Sequence, residues 1–155
     1  VTDLQKLLQI EEIKTLFARR LRYMDTRQWH LYAGLHTEDA VSETYSTRSE
    51  PVVGAEAIAA AIQHFMICGR APIISVHHGH SPEIAFVSDE DATGIWAMED
   101  HLWWQNDDRK EWLHGYGHYH EQYRRVAGRW LIAWRRLTRI RVDCSPGFYD
   151  VLAEG

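Results

Sequence analysis

Residues 111–130 read Glu-Trp-Leu-His-Gly-Tyr-Gly-His-Tyr-His-Glu-Gln-Tyr-Arg-Arg-Val-Ala-Gly-Arg-Trp. Successive side chains of a strand point to opposite faces. A strand over 111–126 therefore puts Trp112, His114, Tyr116, His118 and His120 on one face. Leu113, Gly115, Gly117, Tyr119 and Glu121 take the other. The face of small residues reads as a cavity floor into which Tyr119 reaches. Glycines that merely ease sheet curvature account for the pattern equally well. Ala127-Gly128-Arg129 marks a tight hairpin turn, and residues 130–142 form the returning strand.

Working outward, residues 92–104 form another long strand, followed by a polar loop at 105–110. Trp96, Met98, Asp100, Leu102 and Trp104 share one of its faces. Residues 73–80 and 83–87 are strand-like, and 88–91 form a polar turn. The N-terminal half has a different texture. Leu4, Leu7, Leu8, Ile13, Leu16, Phe17, Leu21 and Met24 follow helical spacing, so a helix is expected over 3–24. Thr2 with Gln5 makes a capping box at its start. A short helix over 28–36, a strand over 41–47 and an alanine-rich helix over 56–66 follow. Residues 143–155 read as a Cys-Ser-Pro-Gly tail. Helices first and an antiparallel meander after them define an α+β domain over 1–155. The expected shape is a cone-shaped α+β barrel, a curved sheet closed by the N-terminal helices around an apolar cavity.

The chain has 155 residues, 45% hydrophobic and 25% charged, near the globular average, which argues against a disordered chain. The net charge of −5 argues against a nucleic-acid or anionic-membrane partner. Two cysteines, Cys68 and Cys144, are too few for a disulfide framework. No apolar run reaches the roughly 20 residues of a membrane span, and a cytoplasmic protein is expected. Ten His and seven Trp point to a pocket lined with rings.

Asp25 lies on the buried face of the first helix, four residues beyond Leu21. A carboxylate there needs a partner, unless it simply caps the segment starting at Gln28. In the run Val76-His77-His78-Gly79-His80, His78 and His80 share one strand face and His77 takes the other. Two same-face imidazoles hold a metal only with a third ligand nearby. The sequence names no such ligand, and no metal is expected. The alternative makes one His of the run a general base paired with Asp25. Of Arg135, Arg136, Arg139 and Arg141, one inward guanidinium could bind an anion or neutralise Asp25. No G-x-S-x-G elbow, G-x-G-x-x-G or phosphate loop is present.

Three stretches together resemble the SnoaL-like branch of the nuclear-transport-factor-2-like superfamily. They are Asp25-Thr26-Arg27-Gln28-Trp29, His77-His78-Gly79 with Phe86-Val87-Ser88-Asp89, and Tyr123-Arg124-Arg125-Val126-Ala127-Gly128-Arg129-Trp130. The resemblance covers nearly the whole chain. Among the family's enzymes, scytalone dehydratase and γ-hexachlorocyclohexane dehydrochlorinase use a helix Asp and a strand His as a catalytic dyad. The resemblance carries that dyad to Asp25 and His77. The dehydrochlorinase's Arg after the hairpin Trp falls on Arg135, and its basic residue before the Asp falls on Arg20. The dehydratase's first-strand phenol is best matched by Tyr45. The chain also departs from these enzymes. Leu102 stands where the dehydratase has a second imidazole, Met24 where it has a phenol, and Gly117 and Tyr119 where it has Ser and Asn.

The resemblance thus implies a cofactor-free lyase (dehydratase or dehydrohalogenase) or isomerase acting on a small, largely apolar ring compound. The candidate catalytic residues are Asp25, His77 and Arg135. The candidate substrate contacts are Arg20, Tyr45, Met98, Asp100, Leu102 and Tyr119, with Trp96 as further apolar wall. The alternatives are a non-catalytic binding protein or a small subunit of a ring-hydroxylating dioxygenase, and, less directly, hydrolysis of an epoxide. The open sheet face is expected to pack against a second copy, as a homodimer or homotrimer.

Overall fold

The computed structural model describes residues 2–43, 50–67 and 71–153. Tyr45 and Cys68 therefore lie outside the described residues. The N-terminal helix α1 spans Asp3–Asp25. Its capping box is present: the Gln5 amide donates to Thr2 Oγ1 at 3.2 Å, and the Thr2 amide donates to Gln5 Oε1 at 2.8 Å. The apolar stripe meets the core only from its middle onward, through Ile13, Leu16, Phe17, Leu21 and Met24. Leu4, Leu7 and Leu8 extend past the sheet and stand exposed.

The second helix, α2, is Trp29–Ala33, shorter than the 28–36 expected from sequence. Gly34 donates to the His30 carbonyl and ends it. The chain then enters β1, His36–Ser42, five residues earlier than expected. The reason is tertiary: β1 runs parallel to the last strand, with His36 opposite Ile132 and Val41 opposite Trp134. A two-residue strand β2, Val52–Val53, pairs with β1 and was not legible in the sequence. Helix α3, Ala55–Met66, follows the alanine-rich stretch closely.

The meander consists of β3 (Ile74–Phe86), β4 (Asp91–Gln105), β5 (Lys110–Val126) and β6 (Arg129–Cys144). The two expected pieces of β3 are one strand, with a register shift between His80 and Glu83 and a left-handed Ser81 (φ 44°) inside it. The expected tail holds a short helix, α4, Phe148–Ala153, because Phe148 and Val151 are both fully buried. The sheet order is β2-β1-β6-β5-β4-β3, so the curved sheet stays open, with β3 at one edge.

The face assignments from strand period hold. Trp96, Met98, Asp100, Leu102 and Trp104 of β4 are buried, as are Leu113, Tyr119, Glu121 and Tyr123 of β5. Two glycines are required by close approach rather than by curvature alone. A Cβ at Gly79 would run into the Phe17 ring, and one at Gly117 would run into the Thr138 carbonyl. The first contact seats α1 directly on β3. The second sits at the register shift between Tyr116 and Gly117, where β6 carries the extra residue Ile140.

Candidate active site

Asp25 is the last residue of α1, where the helix dipole disfavours a carboxylate. The turn that follows holds it in place. Thr26 Oγ1 donates to the Arg22 carbonyl at 2.6 Å. Arg27 adopts a left-handed φ of 59° and donates from Nη2 to the Ile73 carbonyl at 2.7 Å. That bond ties the helix end to the start of β3.

Three donors converge on the Asp25 carboxylate. His77 Nδ1 contacts Oδ1 at 2.6 Å, and Ser75 Oγ donates to the same oxygen at 2.8 Å. The backbone N–H of His77 donates to Oδ2 at 2.9 Å. Because β3 is an edge strand, this N–H is free to leave the sheet, and the helix carboxylate satisfies it. A carboxylate only accepts, so the shared proton sits on Nδ1, and in the neutral ring Nε2 keeps its lone pair. Among the described residues, none is hydrogen-bonded to that Nε2. The arrangement is a fixed-tautomer imidazole with a bare basic nitrogen, oriented by a carboxylate.

A cleft of about 450 Å³ opens beside this pair. Phe17, Leu21, Gly79 and Trp96 supply its apolar wall, and Lys14 and Arg22 also line it. The volume lies within the range of small-molecule sites. A second hollow of about 380 Å³ lies on the outer face of the sheet, among Ile95, His120, Trp134 and Arg136, with neither Asp25 nor His77 in its lining.

Of the other expected site residues among the described ones, Trp96 lines the cleft at Asp25 and His77, and Arg20, Met98, Asp100, Leu102, Tyr119 and Arg135 do not. Arg20, Asp100, Tyr119 and Arg135 belong to an inner polar group behind it. Phe17 stacks on Trp96 with ring centroids 3.7 Å apart, and its edge meets Tyr119 at 5.9 Å. Behind that wall, Arg20 lies 4.5 Å above the Tyr119 ring and 3.0 Å from Glu121. Both side chains of that ion pair are fully buried. Glu121 also accepts from Tyr123 Oη at 2.6 Å, and Tyr123 Oη accepts from Trp96 Nε1 at 2.9 Å. Arg135 donates to Tyr32 Oη at 2.6 Å. Asp100 takes a bidentate pair from Arg139, at 2.7 and 2.8 Å. Met98 and Leu102 are core side chains. In place of an inward Arg neutralising Asp25, Arg135 pairs with Tyr32, Arg139 with Asp100, and Asp25 with Ser75 and His77.

Burial shapes the titration of this group. Tyr119 is pushed up to about 12 by desolvation, with Arg20 pulling the other way. Tyr123 is raised well above its ordinary value by burial and then by the charge of Glu121. His36 is lowered to about 3, first by burial and then by Arg135. Its Nδ1 contacts the Tyr32 carbonyl at 2.9 Å, which fixes the Nδ1–H tautomer.

Sequence reasoning missed Ser75 and Phe17. Ser75 sits two residues before His77 and hence on the same strand face, a hydroxyl at an otherwise apolar position. Phe17 read only as one more stripe residue.

The chain belongs to the SnoaL-like domain family, whose model matches residues 5–136. Its fold is the cone-shaped one of nuclear transport factor 2 and its relatives. Among similar solved structures is a provisionally named scytalone dehydratase from Novosphingobium aromaticivorans. It is 19% identical, covers 92% of this chain and 91% of its own, and has a TM-score of 0.77. A type-3 hexachlorocyclohexane dehydrochlorinase from Novosphingobium barchaimii is 18% identical over 95% of this chain and 97% of its own, with a TM-score of 0.75. A protein of unknown function from Mycobacterium tuberculosis, solved with an Asp-to-Asn substitution, is 25% identical over 88% of this chain and 75% of its own, with a TM-score of 0.67. The likeness to the two enzymes is one of fold.

Proposed function

We propose that this chain is a cofactor-free lyase or isomerase that removes a proton from carbon. The observation that carries the reading is the 2.6 Å contact between Asp25 and His77 beside an apolar cleft. His77 Nε2 takes the proton. Asp25 holds the imidazole in the required tautomer and stabilises the imidazolium that forms. The electron pair left on carbon then expels a leaving group from the neighbouring carbon or shifts a double bond. Ser75 and the His77 amide keep the carboxylate in place, so little reorganisation accompanies proton transfer. The substrate class that suits the wall is a small ring compound bearing halogen or hydroxyl. In this reading Arg135 reaches a developing anion only after the Phe17 ring swings off Trp96. Met98, Leu102 and Tyr119 then form the deeper wall, with Arg20 and Asp100 at its polar end.

That Phe17–Trp96 stack also supports a second reading, a non-catalytic binding protein or dioxygenase small subunit, because it fills the space behind the cleft. Incubation with a panel of halogenated, hydroxylated and unsaturated ring compounds separates the two, with halide release, loss of water and formation of isomers followed by chromatography with mass spectrometry. The first reading expects turnover that falls about 10²–10⁴-fold in His77→Ala and Asp25→Asn. Turnover undiminished in His77→Ala overturns the dyad. Saturable binding without product for every compound favours the second reading.

A further inference from the structure

We propose that His78, His80 and Glu99, on the outer face of the sheet, form a binding site for one divalent transition-metal ion of the zinc type. The sequence supplied two same-face imidazoles and lacked a third ligand. Strand pairing provides it: His78 lies directly opposite Glu99 in the β3–β4 register. His78 Nδ1 is 3.2 Å from Glu99 Oε1, and His80 Nε2 is 3.4 Å from the same oxygen. All three ligand atoms lie within 4.8 Å of one another.

Those spacings match the demands of the ion. Zinc binds imidazole nitrogen and carboxylate oxygen at roughly 2.0–2.2 Å in a tetrahedron, so neighbouring ligand atoms sit about 3.3–3.5 Å apart. Two of the three edges, at 3.2 and 3.4 Å, are already close to that length, and a small side-chain rotation closes the third. The carboxylate now accepts from both ring nitrogens, and a single cation between the three atoms replaces those hydrogen bonds. Two imidazoles with one carboxylate select zinc, nickel, copper or cobalt over magnesium or calcium, which prefer all-oxygen shells. Both imidazoles are about half exposed, so the ion has a path in, and water takes the fourth position. His77 points to the opposite face of the strand, so the site shares no ligand with the Asp25–His77 pair, although His78 and His80 also line the cleft beside that pair.

The test uses the purified full chain, stripped with chelator and titrated with Zn²⁺ by calorimetry in a non-coordinating buffer. A parallel titration with Co²⁺ is read by visible absorption. One ion per chain is expected, with the intense visible bands of four- or five-coordinate Co²⁺. Removing a ligand costs more than the 10–100-fold that loss of a supporting hydrogen bond costs. The double variant His78→Ala/His80→Ala and the single Glu99→Gln should each weaken binding by at least about tenfold. A His114→Ala/His118→Ala variant on the neighbouring strand should bind as the parent does. His78 and His80 are exposed and Glu99 is partly exposed, and circular dichroism checks that each variant, including the one at the partly buried His114, folds. Absence of saturable binding, or binding that survives the His78/His80 double variant, overturns the proposal.

Discussion

His77 and His78 are consecutive residues of β3, and each meets a carboxylate, yet they belong to different environments. The side chain of His77 is 8% exposed and contacts a helix carboxylate at 2.6 Å. That of His78 is 53% exposed and contacts Glu99 on the next strand at 3.2 Å. The same contrast runs over the whole sheet. The inner face buries Arg20 with Glu121 and closes Asp100 on Arg139. The outer face leaves its rings and charges in water, with Trp103, Trp112, His78 and His80 exposed. Strand alternation alone decides which side a residue takes, but burial decides what a charge there is worth. In water an ion pair contributes little; inside, a charge without its partner is costly.

The contrast breaks most visibly at Glu121. Glu121→Gln leaves the Arg20 guanidinium buried without its counter-charge, and a loss of roughly 3–5 kcal/mol of stability is expected by chemical denaturation. A loss below about 1 kcal/mol would show that the inner pair behaves like a surface pair.

Per pH unit, a smaller effect comes from acid. His36 titrates near 3 in the fold, against 6.5 in the unfolded chain, because burial and Arg135 disfavour its protonation. Between those values the unfolded chain binds the extra proton, so its contribution to stability is present above pH 6.5 and lost as pH falls toward 3. The expected slope is about 1.4 kcal/mol per pH unit in that window. Comparing denaturation of the parent and His36→Gln from about pH 4 to about pH 7, which covers the upper part of the window and the plateau above it, isolates it. Parallel curves for the two proteins would rule it out.

The smallest effect belongs to the outer pair. In metal-free protein, Glu99→Gln should shift stability by no more than about 0.5 kcal/mol, measured in the same way. A larger shift would mean that the outer carboxylate carries structure rather than standing ready for an ion.

Much of this arrangement was legible in the order of residues. The period of two in β4 and β5 separated Tyr119 and Glu121 from His118 and His120, because a strand has no other way to display its side chains. The helical spacing of Ile13, Phe17, Leu21 and Met24 placed Asp25 on the buried side of α1 for the same kind of reason. What lay beyond reach were the meetings of distant segments. The early start of β1 follows from its parallel seat on β6, and α4 from a hydrophobic slot that Phe148 and Val151 fill.

The sequence by itself determined the strand faces, the first helix and its cap, the hairpin at Ala127-Gly128, and the opposite directions of His77 and His78. Each of these is a consequence of local backbone geometry. Only the tertiary structure decided that Ser75 shares the Asp25 carboxylate, that Phe17 lies on Trp96, and that Glu99 stands across from His78. Those contacts join residues 50, 79 and 21 positions apart. Which distant side chains meet depends on strand register and on how the helix seats against Gly79, and both are set by the packing of the whole sheet.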